Sequence, residues 1–258
     1  MKIHFYKYQG TGNDFVMIDN RDGRFPDNIR FVQQLCDRRF GIGADGLILI
    51  QNHPELDFEM VYFNADGSKS LCGNGSRCAV NFAKQLHVIN SQTNFLTIDG
   101  QYHATIDQDN IVHLKMRDIE GLIAKNDAFF LDNGSPHHII FTDNNVETNV
   151  YNDGKSIRES DEYKPRGTNV NFVEIIDGNS IDVRTFERGV EDETLSCGTG
   201  VTASSLAASE KGVKSPILVK TKGGNLSVKF EKDEYGTFTN IWLSGPTKLV
   251  FAGQVEIS

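Results

Sequence analysis

The residues of this sequence that are best suited to chemistry lie in two short segments with the same pattern. Cys72 begins the segment CGNG and Cys197 begins the segment CGTG, so each thiol directly precedes a Gly-x-Gly step. Each segment is followed by residues that can form a helix, which places each thiol at an expected helix N-terminus. Unpaired backbone N–H groups and the positive end of the helix dipole favour a thiolate there and also bind carboxylates. The matched pair predicts two thiols that face one small ligand.

The composition excludes several classes of protein. Of the 258 residues, 38% are hydrophobic and 24% are charged, which is typical of a globular chain, and the net charge of −9 offers no basic surface for nucleic acid. No segment approaches the roughly 18 apolar residues of a membrane span, and the N-terminal sequence lacks an apolar signal region. We therefore expect a cytoplasmic protein with a small-molecule partner, no nucleic acid and no membrane. Its four cysteines are expected to be reduced thiols.

The elements that must position the two thiols are mostly short strands. Alternating or apolar runs predict strands at 3–8, 15–18, 47–50, 58–63, 128–133 and 138–142, with three more short runs between 94 and 115. Helical spacing predicts helices around 29–36, behind Cys72, and over 201–211. Turns are expected at 10–14, 64–68 and 134–137 because Gly, Asn, Asp and Pro cluster there.

The order of these elements repeats in the second half of the chain. Gly12 and Gly134 lie in matching turns 122 residues apart, and Cys72 and Cys197 lie 125 residues apart. An offset that grows slowly is typical of a duplication with loop insertions. The fold class is therefore predicted as α+β, with two pseudo-symmetric domains, each a mixed, largely antiparallel sheet wrapped around a central helix.

The domains are predicted at 1–117 and 118–246, with a C-terminal strand from about 247 to 258 completing the first domain. Each half is expected to contain seven or eight strands and one or two helices. The active site is expected in the cleft between the domains, where ligands commonly bind.

Two further cysteines have a structural interpretation. Cys36 falls on the apolar face of its predicted helix, and a free cysteine packs as a small hydrophobic residue. Cys78 follows Cys72 with the spacing Cys-x₅-Cys, but no second ligand pair stands at zinc spacing, so a place in the helix core is favoured over metal binding.

Taken together, the motifs of this chain resemble those of the diaminopimelate epimerase family. In order, they are GNDF at 12–15, GIGADG at 41–46, NADGS at 64–68 with CGNG at 72–75, GSPH at 134–137, TNVNF at 168–172, and ERG at 187–189 with CGTG at 197–200. The resemblance spans nearly the whole chain, and six motifs in order are far more specific than any one of them.

The resemblance implies an epimerase that interconverts LL- and meso-2,6-diaminoheptanedioate (diaminopimelate) on the route to lysine. It implies no cofactor, no metal and a homodimer. The implied catalytic residues are Cys72 as proton donor and Cys197 as proton acceptor. The implied substrate-binding residues are Asn13, Asn64, Gly73, Asn74, Asn169, Glu187, Arg188, Gly198 and Thr199. His137 is a further candidate, either to relay or tune a proton near one thiol or simply to end a strand, and Ser135 stands where the family usually has Asn.

The residue types suit this chemistry. The α-carbon of an amino acid is a very weak acid, so an enzyme without pyridoxal or metal needs a base on one face, an acid on the other, and stabilisation of the carboxylate. Two thiols supply the first two, and helix-end amides supply the third. The planar guanidinium of Arg188 suits a carboxylate, and the Glu187 carboxylate suits an ammonium.

Three other functions would fit part of the pattern. Proline racemase and hydroxyproline epimerase relatives use a similar pair of thiols, but fewer Asn and Arg contacts are expected there. A thiol redox protein would place a resolving cysteine close to the reactive one. A non-catalytic binding module of the same fold would lack the thiol pair, which this chain has.

Overall fold

The computed structural model describes residues 2–26 and 28–256, and the chain forms two compact units. The first unit comprises Met1–Leu114 and Gly245–Ser258, and the second comprises Lys115–Ser244. Residues 1, 27, 257 and 258 of the predicted first domain lie outside the described residues.

Within the described residues, short strands outnumber helices, as the alternating sequence pattern predicts. The elements up to Lys115 are β1 (Lys2–Gly10), β2 (Asn13–Asp19), α1 (Ile29–Cys36), β3 (Gly46–Gln51), β4 (Phe58–Asn64), α2 (Gly73–Gln85), β5 (Gln92–Thr97), β6 (Gly100–Ile106) and β7 (Ile111–Lys115). They are followed by β8 (Ile123–Lys125), β9 (Ala128–Asp132), β10 (Pro136–Phe141), α3 (Val150–Arg158), β11 (Asn169–Ile175), β12 (Ser180–Glu187), β13 (Asp192–Thr194), α4 (Gly198–Glu210), β14 (Ile217–Thr221), β15 (Gly224–Lys232), β16 (Phe238–Pro246) and β17 (Lys248–Glu256).

In the first unit the strands form a mixed sheet. β1 pairs antiparallel with both β17 and β2, and the later pairs run β2–β3 parallel, β3–β4 antiparallel, β4–β5 parallel, β5–β6 antiparallel and β6–β7 antiparallel. The helix α1 connects the parallel pair β2–β3, and α2 connects the parallel pair β4–β5. Each parallel pair therefore has a helical crossover, as parallel neighbours require.

The second unit repeats this pairing pattern. β9–β10 is antiparallel, β10–β11 parallel, β11–β12 antiparallel, β12–β14 parallel, and both β14–β15 and β15–β16 antiparallel. β8 pairs with β9 as β17 pairs with β1, and the short strand β13 is an addition beside β12. The crossovers α3 and α4 correspond to α1 and α2. The prediction of a duplicated two-domain α+β fold is confirmed.

A central helix lies against the sheet in each unit. α2 contacts β1–β4 and β6, and Ala79, Val80 and Phe82 on it are fully buried. α4 contacts β9–β12, β14 and β15, and it is buried on all sides from Gly200 to Ala208. Two buried hydroxyls inside α4 donate to carbonyls of the previous turn, Thr202 to Gly198 O at 3.0 Å and Ser205 to Val201 O at 2.9 Å, so these two are satisfied without solvent.

The structure differs from the predicted elements mainly in the second unit. The helix α3 begins at its cap Asn149, where the sequence predicts no helix, and its Gly154 packs so tightly that an added Cβ would lie 2.4 Å from Cβ of Phe186. The strand β10 begins at Pro136, so His137 belongs to the strand instead of the predicted turn. Including β8 and β13, this unit has nine strands among the described residues, one more than the upper predicted number.

No helix within residues 2–26 and 28–256 is long and apolar enough to cross a membrane.

Candidate active site

Each of the two thiols of the repeated motif is the N-cap of the central helix of its unit. Cys72 precedes α2 with φ −135° and ψ 115°, and its Sγ accepts a hydrogen bond from the Gly75 N–H at 3.4 Å. Cys197 precedes α4 with φ −114° and ψ 111°. Both cap residues are extended, as N-caps generally are. Cys72 is half-buried and Cys197 is buried.

All four cysteines are thiols, and the other two lie in the core. Cys36 is 3% exposed and Cys78 is fully buried, as expected for structural residues. Burial raises the pKa of the Cys36 thiol to about 12 and raises the pKa of Cys78 still further. Neither thiol is therefore a nucleophile or a base at neutral pH.

In the first unit, two predicted ligands lie beside Cys72. Cys72 Sγ donates to Asn13 Oδ1 at 3.3 Å, and Asn74 Nδ2 lies 3.5 Å from the same oxygen. Asn13 is the first residue of β2, directly after the turn between β1 and β2, while Asn74 lies in the first turn of α2. Residues separated by 59 positions in the chain thus form one polar group around the first thiol.

The Asn13 side chain is anchored by a carboxylate that sequence reasoning did not select. Its Nδ2 donates to Asp45 Oδ2 at 2.6 Å. Asp45 is held in turn by Arg38, which also forms a bidentate pair with Asp14 at 2.8 and 3.0 Å. Burial alone would raise the pKa of Asp14, but hydrogen bonds from Arg38 and Lys7 outweigh it and hold that pKa well below its usual range. The GIGADG motif therefore contributes an ionic support for Asn13.

A buried arginine supports Asn74 from inside the unit. Arg77 is fully buried on α2, and its Nη2 donates to Asn74 Oδ1 at 2.9 Å and to Thr11 Oγ1 at 3.2 Å. Within the described residues its Nε lacks a hydrogen-bond partner. Burial lowers the pKa of this guanidinium, while the nearby thiols of Cys78 and Cys72 raise it. Sequence reasoning missed Arg77, although a charged residue within an apolar helix segment is a signal that could have indicated it.

Asn64, the third predicted ligand of this unit, lies in a different environment. It ends β4, and its Nδ2 donates to Ser68 Oγ at 2.9 Å and to Ser70 Oγ at 3.1 Å. Asn64 is thus part of the loop that leads to Cys72. The backbone amides of Gly73 and Asn74 form the first turn of α2, where helix N–H groups are available to a carboxylate.

In the second unit, three predicted residues form one hydrogen-bonded group. Asn169 begins β11, and its Nδ2 donates to Ser135 Oγ at 2.8 Å while its Oδ1 accepts from the Arg188 N–H at 2.9 Å. Ser135 therefore contacts Asn169 from the position where the family usually has Asn. Arg188 follows β12, is half-buried, and donates from Nη1 to Arg166 O at 3.4 Å.

His137 is fully buried and is held as a neutral ring. Thr185 donates to Asn171 Oδ1 at 3.0 Å, which fixes the Asn171 amide so that its Nδ2 faces His137 Nδ1 at 3.1 Å. Because Nδ1 accepts, the ring proton lies on Nε2, which has no partner among the described residues. Burial, and next the charge of Arg188, lower the pKa of His137 to about 3.

The N-terminus of α4 is fitted closely against this group. A Cβ on Gly200 would lie 2.4 Å from Asn171 Oδ1 and 3.4 Å from Cys197 Sγ, so only glycine allows this approach. Cys197 Sγ lies 3.5 Å from Thr199 Oγ1, and the Thr199 carbonyl accepts from Asn133 Nδ2 at 2.9 Å. The first-turn amides of Gly198 and Thr199 correspond to those of Gly73 and Asn74.

The remaining predicted ligand is Glu187, which is half-buried at the end of β12, next to Arg188. Within the described residues, no group of three or more His, Cys, Asp or Glu side chains is arranged to hold a metal ion.

The fold defines the general class of the protein. A phenazine biosynthesis protein of the PhzF family from Bacillus anthracis superposes with a TM-score of 0.75 over 100% of both chains, at 15% sequence identity. The chain therefore shares the fold of that protein.

Sequence comparison identifies the family within that class. The model of the diaminopimelate epimerase family matches residues 5–118 and 129–247. A diaminopimelate epimerase of Flavobacterium psychrophilum is 52% identical over 96% of this chain and 98% of the relative. One from Aquifex aeolicus is 38% identical over 98% of both chains. The chain belongs to the diaminopimelate epimerase family.

Proposed function

We propose that this protein interconverts LL- and meso-2,6-diaminoheptanedioate, in lysine biosynthesis, by moving a proton at the α-carbon between Cys72 and Cys197. The observation that carries the proposal is the N-cap position of one motif thiol on the central helix of each unit. Family membership adds the substrate. One thiol gives a proton to one face of the carbon while the other, as thiolate, removes the proton from the opposite face, so the configuration inverts.

The helix ends bind the carboxylate beside the reacting carbon. The N–H groups of Gly73 and Asn74, and those of Gly198 and Thr199, lie in the first turns of α2 and α4. Such groups are fixed before substrate arrives, so they stabilise the charge that develops on the carboxylate during proton removal.

His137 is proposed to tune the second thiol without relaying a proton. Its ring stays neutral near pH 7, since burial and the Arg188 charge lower its pKa to about 3. A neutral ring with its proton on Nε2 can donate a hydrogen bond to a thiolate or a substrate oxygen. It would not change its own charge during the cycle.

The polar residues beyond the thiols are proposed to bind the distal amino-acid group of the substrate. Arg188 is suited to the distal carboxylate and Glu187 to the distal ammonium, with Asn64 and Asn169 as hydrogen-bond partners. Asn13 contacts the first thiol and would bind near the reacting end.

The direct test is exchange of the α-proton. Purified protein in deuterated buffer, with no added cofactor, should incorporate deuterium into LL-diaminopimelate and form the meso isomer. Absence of exchange would refute the proposal, and equal turnover of proline, lysine and diaminopimelate would refute the distal site and indicate a broader racemase.

We also propose that the protein is a cytoplasmic homodimer. Four thiols suit a reducing compartment. Leu249, Val250 and Phe251 form an exposed apolar run on β17, with 37%, 53% and 48% of each residue exposed, and such a run supports association between copies. Analytical ultracentrifugation should show a dimer in the wild type and a monomer in Phe251→Glu; a monomeric wild type would contradict this assignment.

A further inference from the structure

The first thiol faces a carbonyl oxygen whose orientation is set by a charged residue. Asp45 has two acceptor oxygens: Oδ1 accepts from Arg38 Nη2 at 2.7 Å, while Oδ2 accepts from Asn13 Nδ2 at 2.6 Å and from the Asp14 N–H at 3.2 Å. A carboxylate only accepts, so the amino group of Asn13 must point towards Asp45. Asn13 Oδ1 therefore points the other way, towards Cys72 Sγ, 3.3 Å away.

The side-chain amide of Asn74, next to Asn13, is also oriented by a charged residue. Arg77 only donates, and its Nη2 lies 2.9 Å from Asn74 Oδ1, so the amino group of Asn74 points towards Asn13 Oδ1. The carboxylate at one end and the guanidinium at the other leave a single consistent direction for both amides. Asn13 Oδ1 is consequently an acceptor for every group that faces it.

We propose that Asp45 is a positioning residue that orients Asn13 and thereby keeps the Cys72 thiol protonated until substrate binds. An acceptor beside sulfur favours S–H, whereas a thiolate would face the negative end of the amide dipole. The inference deepens the proposed function and rests on it, because Cys72 there gives up its proton.

Other groups act on Cys72 in the opposite direction. The Gly75 N–H at 3.4 Å and the N-terminus of α2 favour the thiolate, as does the charge of buried Arg77. Charged or titratable groups close to this site include Cys78 on α2 and the network of Lys7, Asp14 and Arg38 with Asp45. The acceptor oxygen of Asn13 favours the protonated thiol and so counteracts the helix N-terminus. This explains how a thiol at a helix N-terminus can serve as the acid.

Replacing Asp45 with Asn should reverse the Asn13 amide. Asparagine has one acceptor oxygen, and Arg38, which carries a full charge and cannot accept, takes it. The new amino group then faces Asn13, whose oxygen turns towards it and whose amino group turns towards Cys72, at the cost of the 3.5 Å contact from Asn74 Nδ2. In this variant a hydrogen-bond donor, the Asn13 amino group, faces Cys72 Sγ in place of the acceptor oxygen. Asp45→Ala removes the same charge without forcing this rotation, which makes it the matched control.

The experiment is a pH titration of thiol alkylation by iodoacetamide, read for Cys72 and Cys197 separately by peptide mass spectrometry. In Asp45→Asn the Cys72 midpoint should fall about one pH unit further than in Asp45→Ala, a roughly tenfold larger thiolate fraction below the midpoint. The Cys197 midpoint should stay at its wild-type value in both variants.

Equal Cys72 midpoints in the two variants would show that Asp45 acts on Cys72 through its negative charge alone and not through the orientation of Asn13. That result would overturn the proposal. An unchanged or raised midpoint in Asp45→Asn would overturn it as well. Asp45 has 44% of its side chain exposed, so both variants are expected to fold. The alkylation titration does not depend on catalytic turnover. A negative result in it therefore refutes the role of Asp45 without bearing on the epimerase assignment, which the deuterium exchange tests separately.

Discussion

The close approach of α4 to Asn171 gives a sharp test of how the second thiol is positioned. In Gly200→Ala the new Cβ would lie 2.4 Å from Asn171 Oδ1, and ordinary Cβ contacts begin near 3.4 Å, so the helix end and the amide must separate by about 1 Å. Displacing Asn171 also disturbs its hydrogen bonds with Thr185 and His137. Both effects move the groups that surround Cys197.

The magnitude follows from these contacts. Overpacking costs about 1–3 kcal/mol, and the gain of up to about 1 kcal/mol from replacing a helical glycine offsets part of it. A net loss of about 1–2 kcal/mol corresponds to a Tm lower by about 2–8 °C. A misplacement of about 1 Å at reacting groups lowers the rate by about 10²-fold. We therefore expect Gly200→Ala to lose far more activity than stability.

The matched control is the equivalent glycine of the first motif. In Gly75→Ala the nearest atom to the new Cβ is Ile48 Cδ1 at 3.1 Å, the end of a flexible side chain that can move. Its Tm should stay within about 2 °C of the wild type, because the helix propensity gain offsets the tight contact. Calorimetry and the deuterium-exchange assay measure both quantities. If Gly200→Ala keeps wild-type activity, or if Gly75→Ala is equally damaging, the reasoning is wrong.

The remaining predictions concern single side chains. Cys72→Ala and Cys197→Ala should each lower epimerisation by at least about 10²-fold at nearly unchanged Tm, whereas Cys36→Ala should lower Tm and keep activity; full activity in either of the first two would refute their assignment. His137→Gln should make the free energy of unfolding less dependent on pH. In the wild type, a folded pKa of about 3 against an unfolded pKa near 6.5 removes about 1.4 kcal/mol of stability per pH unit as pH falls from 6.5 towards 3. Urea unfolding at pH 6.5 and 4.5 measures this loss of stability, and an equal loss in the wild type and the variant would show that the ring is not buried neutral. Arg188→Lys should lose most of kcat/KM for diaminopimelate, since an ammonium cannot form the two-pronged contact, and wild-type kinetics in that variant would place the distal carboxylate elsewhere.

The sequence predicts the architecture well because its strongest signals are periodic or repeated. Short alternating runs with Gly and Asn turns predict the mixed sheets, and the slowly growing offset between matching turns predicts the duplication. The CGNG and CGTG segments predict the starts of α2 and α4, since each is followed by residues that can form a helix. These features are local, or they recur at a nearly constant distance.

Features that depend on distant partners could not be predicted in this way. The helix α3 was missed because Gly154 weakens its helical pattern, and the reason for that glycine is its contact with Phe186. Asp45 stands in the GIGADG motif and Arg77 follows the CGNG motif by two residues. Many other charged residues lie in or near such motifs, and only the contacts to Asn13 and Asn74 distinguish these two. Burial of His137 likewise depends on strands and a helix from other parts of the chain.

The pairing of β1 with β17 has a consequence for the order in which the protein is made. Lys2 lies opposite Glu256, so the sheet of the first unit includes a strand that a ribosome synthesises only after the whole of the second unit, Lys115–Ser244. Until then β1 has β2 on one side and an open edge on the other, and open edges recruit other chains. The second unit, Lys115–Ser244, is complete in sequence before β17 is made, whereas the sheet of the first unit must wait for β17. Chaperone demand during translation should therefore centre on the N-terminal strand.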